Sequence, residues 1–425
     1  MNRRTFINNV AVGGTGLAIT PSSSPFNLVG KAPSPVKLAL IGKGGMGTAD
    51  TNTAIRVPGV ELVSVCDIYA PRLEAAKKQW GQHLRVEKDY HQVLDDDQID
   101  AVIIATPDHW HQRIAVEALK KGKHVYCEKP IIHKRSEGRA LIKAQKESGK
   151  IFQMGTQGVS AVGMHLAKVL MGSKIIGDIN FVDARFSAAP SPLNSFHPPM
   201  EATPENIWWD QFLGQAPKVP FTPHRFFAWR NWCDYGTGLA GDLFVHVIAS
   251  IHFITGHSKP TRVYSDGDIL YYRDGSRDTP DVIYSLFDYG SNAETTPFKM
   301  SLGANIIDGI SKEWGSTNFN MIGSKGSMRV NWDAVTVKTV NETDVTGLAS
   351  PLNQVVGFDK VEKISNTEYV FLAKSDFRDA HFLHFQNFFA AIRSGVPNIA
   401  PVEFGVDAST AALLSFESQV RRQVV

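Results

Sequence analysis

The sequence predicts an α/β half built on a doubly wound parallel sheet, followed by an α+β half with a largely antiparallel sheet. Three observations carry this. Between residues 36 and 127, short apolar strands alternate with helical stretches, the pattern of parallel strands joined by crossover helices. A glycine-rich turn sits where the first of those strands runs into the first helix. Beyond residue 260 the alternation gives way to period-two segments separated by short turns, which reads as an antiparallel sheet. At 425 residues the chain is too long for one ordinary domain, so two are expected.

Composition narrows the classes of partner. With 43% hydrophobic and 20% charged residues, the chain lies in the ordinary globular range, which excludes a disordered scaffold. Lys plus Arg is 44 against 42 for Asp plus Glu, a balance that offers no electrostatic footprint for nucleic acid. Three cysteines, Cys66, Cys127 and Cys233, cannot make a disulfide framework in so long a chain. A small-molecule partner is expected.

Residues 1–35 read as a leader and linker. Arg3-Arg4-Thr5-Phe6-Ile7 precedes a Gly-bearing apolar run, Val10 to Ile19, and then Pro21-Ser22-Ser23-Ser24-Pro25. A basic start and a short apolar core make a signal peptide, whereas a membrane-spanning helix needs about 20 apolar residues. The paired arginines resemble a twin-arginine signal, which exports proteins already folded around a cofactor. A periplasmic location is expected, with no membrane span.

The body of the chain opens with Val36-Lys37-Leu38-Ala39-Leu40-Ile41, a strand leading into Gly42-Lys43-Gly44-Gly45-Met46-Gly47. This is G-x-G-x-x-G at a strand–helix junction. Gly42 permits the tight turn, Gly44 lets backbone approach a pyrophosphate, and Gly47 lets helix pack on strand; the helix N-terminus presents free N–H groups to phosphate. A helix over residues 48–56 leads to Glu61–Cys66, a second strand ending at Asp67, twenty residues after Gly47. A carboxylate there accepts hydrogen bonds from ribose hydroxyls and repels a 2′-phosphate, which predicts NAD rather than NADP. The alternation continues with a helix over 71–80, a strand over 101–106, a helix over 108–121 and a strand over 124–127. Thr106-Pro107-Asp108-His109-Trp110-His111 and Glu128-Lys129-Pro130 therefore lie at strand C-terminal ends, where such sheets bind ligands. We assign residues 36–155 to a Rossmann domain and 156–425 to a second domain.

The second half has its own signals. Residues 190–235 hold Trp208, Trp209, Trp229 and Trp232, and aromatic faces suit sugar rings as well as cores. Gly238 to Thr255 reads as an amphipathic helix with apolar residues at 239, 243, 247, 251 and 254, closed by Gly256. Asp242 and His246 are four apart on it and project from one face. Asp281–Phe287, Phe298–Ile307 and the pair Phe319–Ile322 and Met328–Val330, joined across Gly323-Ser324-Lys325-Gly326, read as strands; residues 378–394 and 403–420 read as closing helices. No H-E-x-x-H or paired Cys-x-x-Cys spacing exists, so no metal site is expected.

Taken together, Gly42–Gly47, Glu128-Lys129-Pro130, Asp242-x-x-x-His246 and the tail Asn387-Phe388-Phe389-Ala390-Ala391-Ile392-Arg393-Ser394-Gly395 resemble the Gfo/Idh/MocA family of nicotinamide-dependent sugar oxidoreductases. The resemblance implies a Rossmann domain followed by an open-faced sheet used for substrate binding and homo-oligomer contact. It also implies that Lys129, Asp242 and His246 meet at the nicotinamide. The expected cofactor contacts are Gly42, Gly44, Gly45, Met46, Gly47, Asp67, Thr106, Pro107, His109, His111, Glu128 and Lys129. Those expected for a carbohydrate substrate are Trp229, Arg230, Trp232, Asp242 and His246.

Chemistry supports these roles. Oxidising a secondary alcohol requires loss of the hydroxyl proton while hydride leaves the same carbon. Neutral His246 suits the general base, Asp242 would orient it or bind a neighbouring hydroxyl, and Lys129 supplies charge where alkoxide develops. The expected activity is NAD-dependent oxidation of a sugar, glycoside or polyol hydroxyl, with the glycoside 3-position implied by the resemblance. The alternative is an NAD-dependent glycosidase working by transient C3 oxidation and elimination. On the first reading kcat/KM should fall below the pKa of His246.

Overall fold

The computed structural model describes residues 35–187, 199, 201–308, 310–311 and 313–425. The leader, on which the export reading rests, lies outside them.

The first sheet has six parallel strands: β1 (Val36–Ile41), β2 (Val60–Cys66), β3 (Arg85–Glu87), β4 (Ala101–Ile104), β5 (His124–Glu128) and β6 (Phe152–Gly155). Their order is β3-β2-β1-β4-β5-β6, the doubly wound arrangement whose order reverses beside β1. Central strands with both faces covered need apolar residues at every position, and β4 is Ala-Val-Ile-Ile with all four buried. Helix α1 (Gly45–Ala54) starts inside the glycine turn, three residues before the start read from sequence, because Gly44 in extended backbone serves as its N-cap. Helices α2 (Ala70–Trp80) and α3 (Asp108–Lys120) follow the expected spans closely.

The two faces of this sheet are covered from different parts of the chain. Ile41, Val102, Ile104 and Cys127 pack with Ile114, Ala118 and Leu119 of α3. Leu38, Leu40, Ala101, Ile103 and Tyr126 pack instead with Phe385, Phe388 and Phe389, which come from a helix near the end of the chain.

The second sheet is built from β7 (Ile179–Ser187), β8 (Arg262–Asp268), β9 (Val282–Tyr289), β10 (Phe298–Asn305), β11 (Asn318–Gly323), β12 (Gly326–Asn331), β13 (Ala334–Thr339), β14 (Phe358–Ser365) and β15 (Glu368–Ala373), in the order β14-β15-β13-β12-β11-β7-β10-β9-β8. Its pairings are antiparallel except β7 with β10. The hairpin across Gly323–Gly326 forms, with Met321 opposite Met328. One face buries Val182, Phe287, Met300, Leu302, Met321 and Val337, while the other exposes Tyr264, Tyr284 and Leu286. Against the buried face lies α4 (Val245–Thr255), preceded by a π turn at Ala240–Phe244. The expected amphipathic helix is thus a wide turn plus a helix buried on nearly all sides, including Ser250, His252 and Thr255; it is sandwiched rather than facing water. Helices α5 (Ala380–Ser394), capped by Asp379 accepting from Phe382 N at 2.9 Å, and α6 (Val402–Arg421) close the chain.

Cys66, Cys127 and Cys233 are unpaired. Among the described residues no helix is long and apolar enough to cross a membrane, and no cluster of three or more His, Cys, Asp or Glu is placed to hold a metal.

Candidate active site

A cavity of about 280 Å³ opens at the C-terminal ends of β1, β2, β4 and β5. Its wall begins at the glycine turn. Gly42 has φ +98°, and a Cβ there would lie 2.6 Å from the Ala105 carbonyl oxygen. At Gly47 a Cβ would lie 2.0 Å from the Gly42 carbonyl oxygen, so helix and strand can approach only as glycine. Gly44 and Gly45 differ: a Cβ would meet nothing within 4 Å, and their bareness keeps the cradle open. The N-terminus of α1 above that cradle carries no side-chain cap and no acidic residue, which leaves its N–H groups for an anion. The buried Thr106 Oγ1, also on the cavity lining, has no hydrogen-bond partner among the described residues. These features fit the phosphates and polar edges of a dinucleotide.

Asp67 ends β2 as expected, 5% exposed. Its Oδ2 accepts from Lys43 N at 2.7 Å and its Oδ1 from Tyr69 N at 2.9 Å, while Arg72 stands 3.5 Å away. Arg72, unremarked in the sequence, lies within 5.7 Å of the ring centres of Tyr69, Phe226 and Phe227. Those phenylalanines belong to the second half of the chain and close over the first.

At the β5 end the side chains converge. Lys129 Nζ donates to Asp242 Oδ1 at 2.7 Å and to the Asp242 carbonyl at 2.8 Å. Arg230 Nε lies 3.3 Å from Asp242 Oδ2. Burial would raise the Asp242 carboxyl, but Lys129 and then Arg230 outweigh it and hold the group well below the usual carboxylate range. Lys129, Arg230 and His246 line the cavity. The His246 ring makes no hydrogen bond among the described residues, and burial, with Lys129 beside it, pushes its pKa down to about 3. It is neutral throughout the usual pH range. Asp242 therefore orients Lys129 rather than the imidazole, and a kcat/KM limb set by His246 falls below any practical assay.

Of the residues expected at the cofactor, Gly42, Gly44, Gly45, Met46, Asp67, Thr106, Pro107, His111, Glu128 and Lys129 line the cavity. Gly47 lies beneath it. His109 does not line it; its Nε2 meets the Phe212 carbonyl at 2.8 Å and its ring lies among Phe212 and Tyr235. His111 bridges the carbonyls of Pro130 at 2.7 Å and Thr106 at 2.8 Å, a structural brace on the wall. Of the substrate set, Trp229, Arg230 and His246 face the cavity, with the Arg230 guanidinium 4.2 Å from the Trp229 ring centre. Trp232 packs instead on Arg225 at 3.9 Å, and Asp242 lies behind Lys129 and Arg230. Asp108, Gln157, Phe226 and Phe227 also line the cavity and had no role in the sequence reading. For Asp108 a signal existed, since it follows Thr106-Pro107 at a strand end.

This fold and site define an NAD-binding Rossmann domain joined to a sheet domain that completes its pocket. Residues 36–156 match the sequence model of the Gfo/Idh/MocA family, described as "Oxidoreductase family, NAD-binding Rossmann fold". Inositol 2-dehydrogenase of Salmonella typhimurium (strain LT2) is 32% identical over 160 residues, 37% of this chain and 48% of that protein. The scyllo-inositol 2-dehydrogenase (NAD(+)) of Bacillus subtilis (strain 168) is 36% identical over 121 residues, 28% of this chain and 35% of that one. The chain thus spans about half the length, or less, of these relatives. The fold of nearly the whole chain is shared with levoglucosan dehydrogenase, solved with NADH and levoglucosan: TM-score 0.67, 19% identity, covering 92% of this chain and 99% of that one.

Proposed function

We propose that the protein is an NAD-dependent oxidoreductase of the Gfo/Idh/MocA kind, acting on a secondary hydroxyl of a sugar, glycoside or polyol. One observation carries the reading. The cavity that starts at the glycine turn is lined both by Lys129, two of whose N–H donors go to Asp242, and by the His246 imidazole, which makes no hydrogen bond among the described residues.

Bound NAD supplies the acceptor for the hydrogen and electron pair lost by the alcohol carbon. Everything else is the work of this chain. Two of the three Lys129 donors are fixed on Asp242, so the third has a set direction and stabilises negative charge on the hydroxyl oxygen. Neutral His246 offers a ring nitrogen that can accept a hydrogen bond from the hydroxyl and hold it in place. Trp229 and Phe226 offer apolar faces and Arg230 a polar edge, which suits a ring with C–H faces and hydroxyl rims. The relatives named above act on inositol or bind levoglucosan, which supports this substrate class.

The purified protein is to be incubated with NAD and a panel of inositols, levoglucosan and aryl glucosides. Net NADH supports the dehydrogenase. Release of the aryl alcohol without net NADH replaces it with the glycosidase alternative, and neither product overturns both.

Two further expectations belong here. Export rests on Arg3-Arg4 and the apolar run; N-terminal sequencing of protein from the periplasmic fraction tests it, and an intact Met1 on cytoplasmic protein overturns it. A homo-oligomer is supported by the exposed Tyr264, Tyr284 and Leu286 on one sheet face, and light scattering measures it.

A further inference from the structure

We propose that Asp108 takes up the proton lost by the substrate hydroxyl, an assignment that rests on the oxidation proposed above. Asp108 is the first residue of α3, 4% exposed, on the cavity wall shared by Lys129, Arg230 and His246. Its Oδ2 accepts from Thr237 Oγ1 at 2.8 Å. Its Oδ1 makes no hydrogen bond among the described residues and is available to whatever occupies the cavity.

The other groups on that part of the wall are poor places for a proton to rest. Lys129 Nζ is committed as a donor to the side chain and the carbonyl of Asp242. An imidazolium at His246 is disfavoured by burial and by Lys129, so a proton accepted there must move on. His111 is lowered by burial to about 4, against the upward pull of the Pro130 and Thr106 carbonyls, and those carbonyls occupy both ring nitrogens, so neither faces a substrate. Glu128 is pushed up to about 8 by burial and by Asp50, so at neutral pH it already carries its proton. Asp108 lies between these. Burial and then Asp242 raise it, while Lys129, Arg230 and the Thr237 hydroxyl pull it back, to about 6. The Cys127 thiol, also facing it from β5, is pushed up and stays neutral.

The step balances. The hydroxyl O–H bond breaks and its proton passes to the Asp108 carboxylate. The carbon gives up its hydrogen with the bonding electron pair to NAD⁺, and the C=O bond forms. The products are ketone, NADH and a neutral Asp108 carboxylic acid.

Ionised Asp108 is needed for oxidation and protonated Asp108 for the reverse reduction. Wild-type kcat/KM for alcohol oxidation should therefore fall about tenfold per pH unit below about 6, and that for ketone reduction should fall above it. Asp108→Asn keeps an acceptor for Thr237 and should lower oxidation at pH 8 by about 10²- to 10⁴-fold, removing both limbs. His246→Ala should lower the rate yet keep the limb. Thr237→Val removes the hydroxyl that favours the ionised form, and should move the oxidation limb to higher pH. Calorimetric NAD affinity of each variant reports whether the pocket is intact. If Asp108→Asn loses NAD binding, the opposed wild-type limbs and the Thr237→Val shift decide; parallel limbs or an unmoved limb overturn the proposal. An active Asp108→Asn enzyme with the wild-type limb overturns it while leaving the oxidation standing. Absence of NADH from wild-type protein with every probe overturns the oxidation and this proposal together.

Discussion

Replacing Lys129 by Met keeps the apolar length of the side chain and deletes the charge. Asp242 is then left with its side chain 12% exposed, the Lys129 contacts at 2.7 and 2.8 Å gone, and, among the described residues, Arg230, 3.3 Å away and 27% exposed, as its remaining ion-pair partner. Removing one partner of a buried ion pair costs about 3–5 kcal/mol, because the other charge stays buried. Arg230 remains, so the low end applies, about 3 kcal/mol. The pH dependence has a definite sign. Lys129 and Arg230, outweighing burial, hold the Asp242 carboxyl below its unfolded value. The pair therefore stabilises the fold above about pH 4, the unfolded carboxylate pKa, and this contribution is lost as pH falls through the lower folded value. Lys129→Met should show its full deficit at pH 7 and a smaller one at pH 3. Urea midpoints at the two pH values measure it. Lys129→Met with Asp242→Asn should be less unstable than the sum of the single changes. Turnover should fall by about 10²- to 10³-fold, as when one preorganised donor is removed. A Lys129→Met protein within about 0.5 kcal/mol of wild type at pH 7, or a deficit indifferent to pH, would refute the electrostatic reasoning.

Three other outcomes are expected. Gly47→Ala forces a methyl to 2.0 Å from the Gly42 carbonyl; it should cost about 2 kcal/mol or more and reduce NAD affinity, read by melting and calorimetry. Asp67→Ser removes the carboxylate that holds Lys43 N and Tyr69 N and that opposes a 2′-phosphate. It should weaken NAD and narrow the preference over NADP, and tighter NADP than NAD binding by wild-type protein would contradict the assignment. Asp108 is raised on folding to about 6, a contribution that weakens wild type as pH rises from 4 through 6 and that Asp108→Asn lacks, so the variant should gain stability relative to wild type over that interval, whatever the buried histidines add to both proteins. Two pH units correspond to about 3 kcal/mol at most, and melts at pH 4 and 8 compare the two proteins.

The sequence by itself determined the parts whose information is local. Apolar strands, a glycine turn and an acidic strand end are read over a few residues, and their alternation with helices gives the doubly wound parallel sheet. So the parallel sheet, the NAD cradle, Asp67 and the strand-end Lys129 were legible in the sequence. Only the tertiary structure decided which side chains face one another. Lys129 meets Asp242 across 113 residues of chain, as the resemblance implied, but it is the ammonium and not the imidazole that Asp242 holds, and the His246 ring makes no hydrogen bond among the described residues. His109 and Trp232 have the chemistry of ligand contacts but spend their faces on Phe212 and Arg225, while Asp108, given no role of its own in the sequence, faces the cavity. The first sheet is finished by Phe385, Phe388 and Phe389 of α5, and His381 on that helix reaches Asp50 across 331 residues. Periodicity tells a segment which of its faces is apolar but not what covers it. Burial, and with it the charge state of Asp108, Glu128 and His246, depends on neighbours brought from elsewhere in the chain.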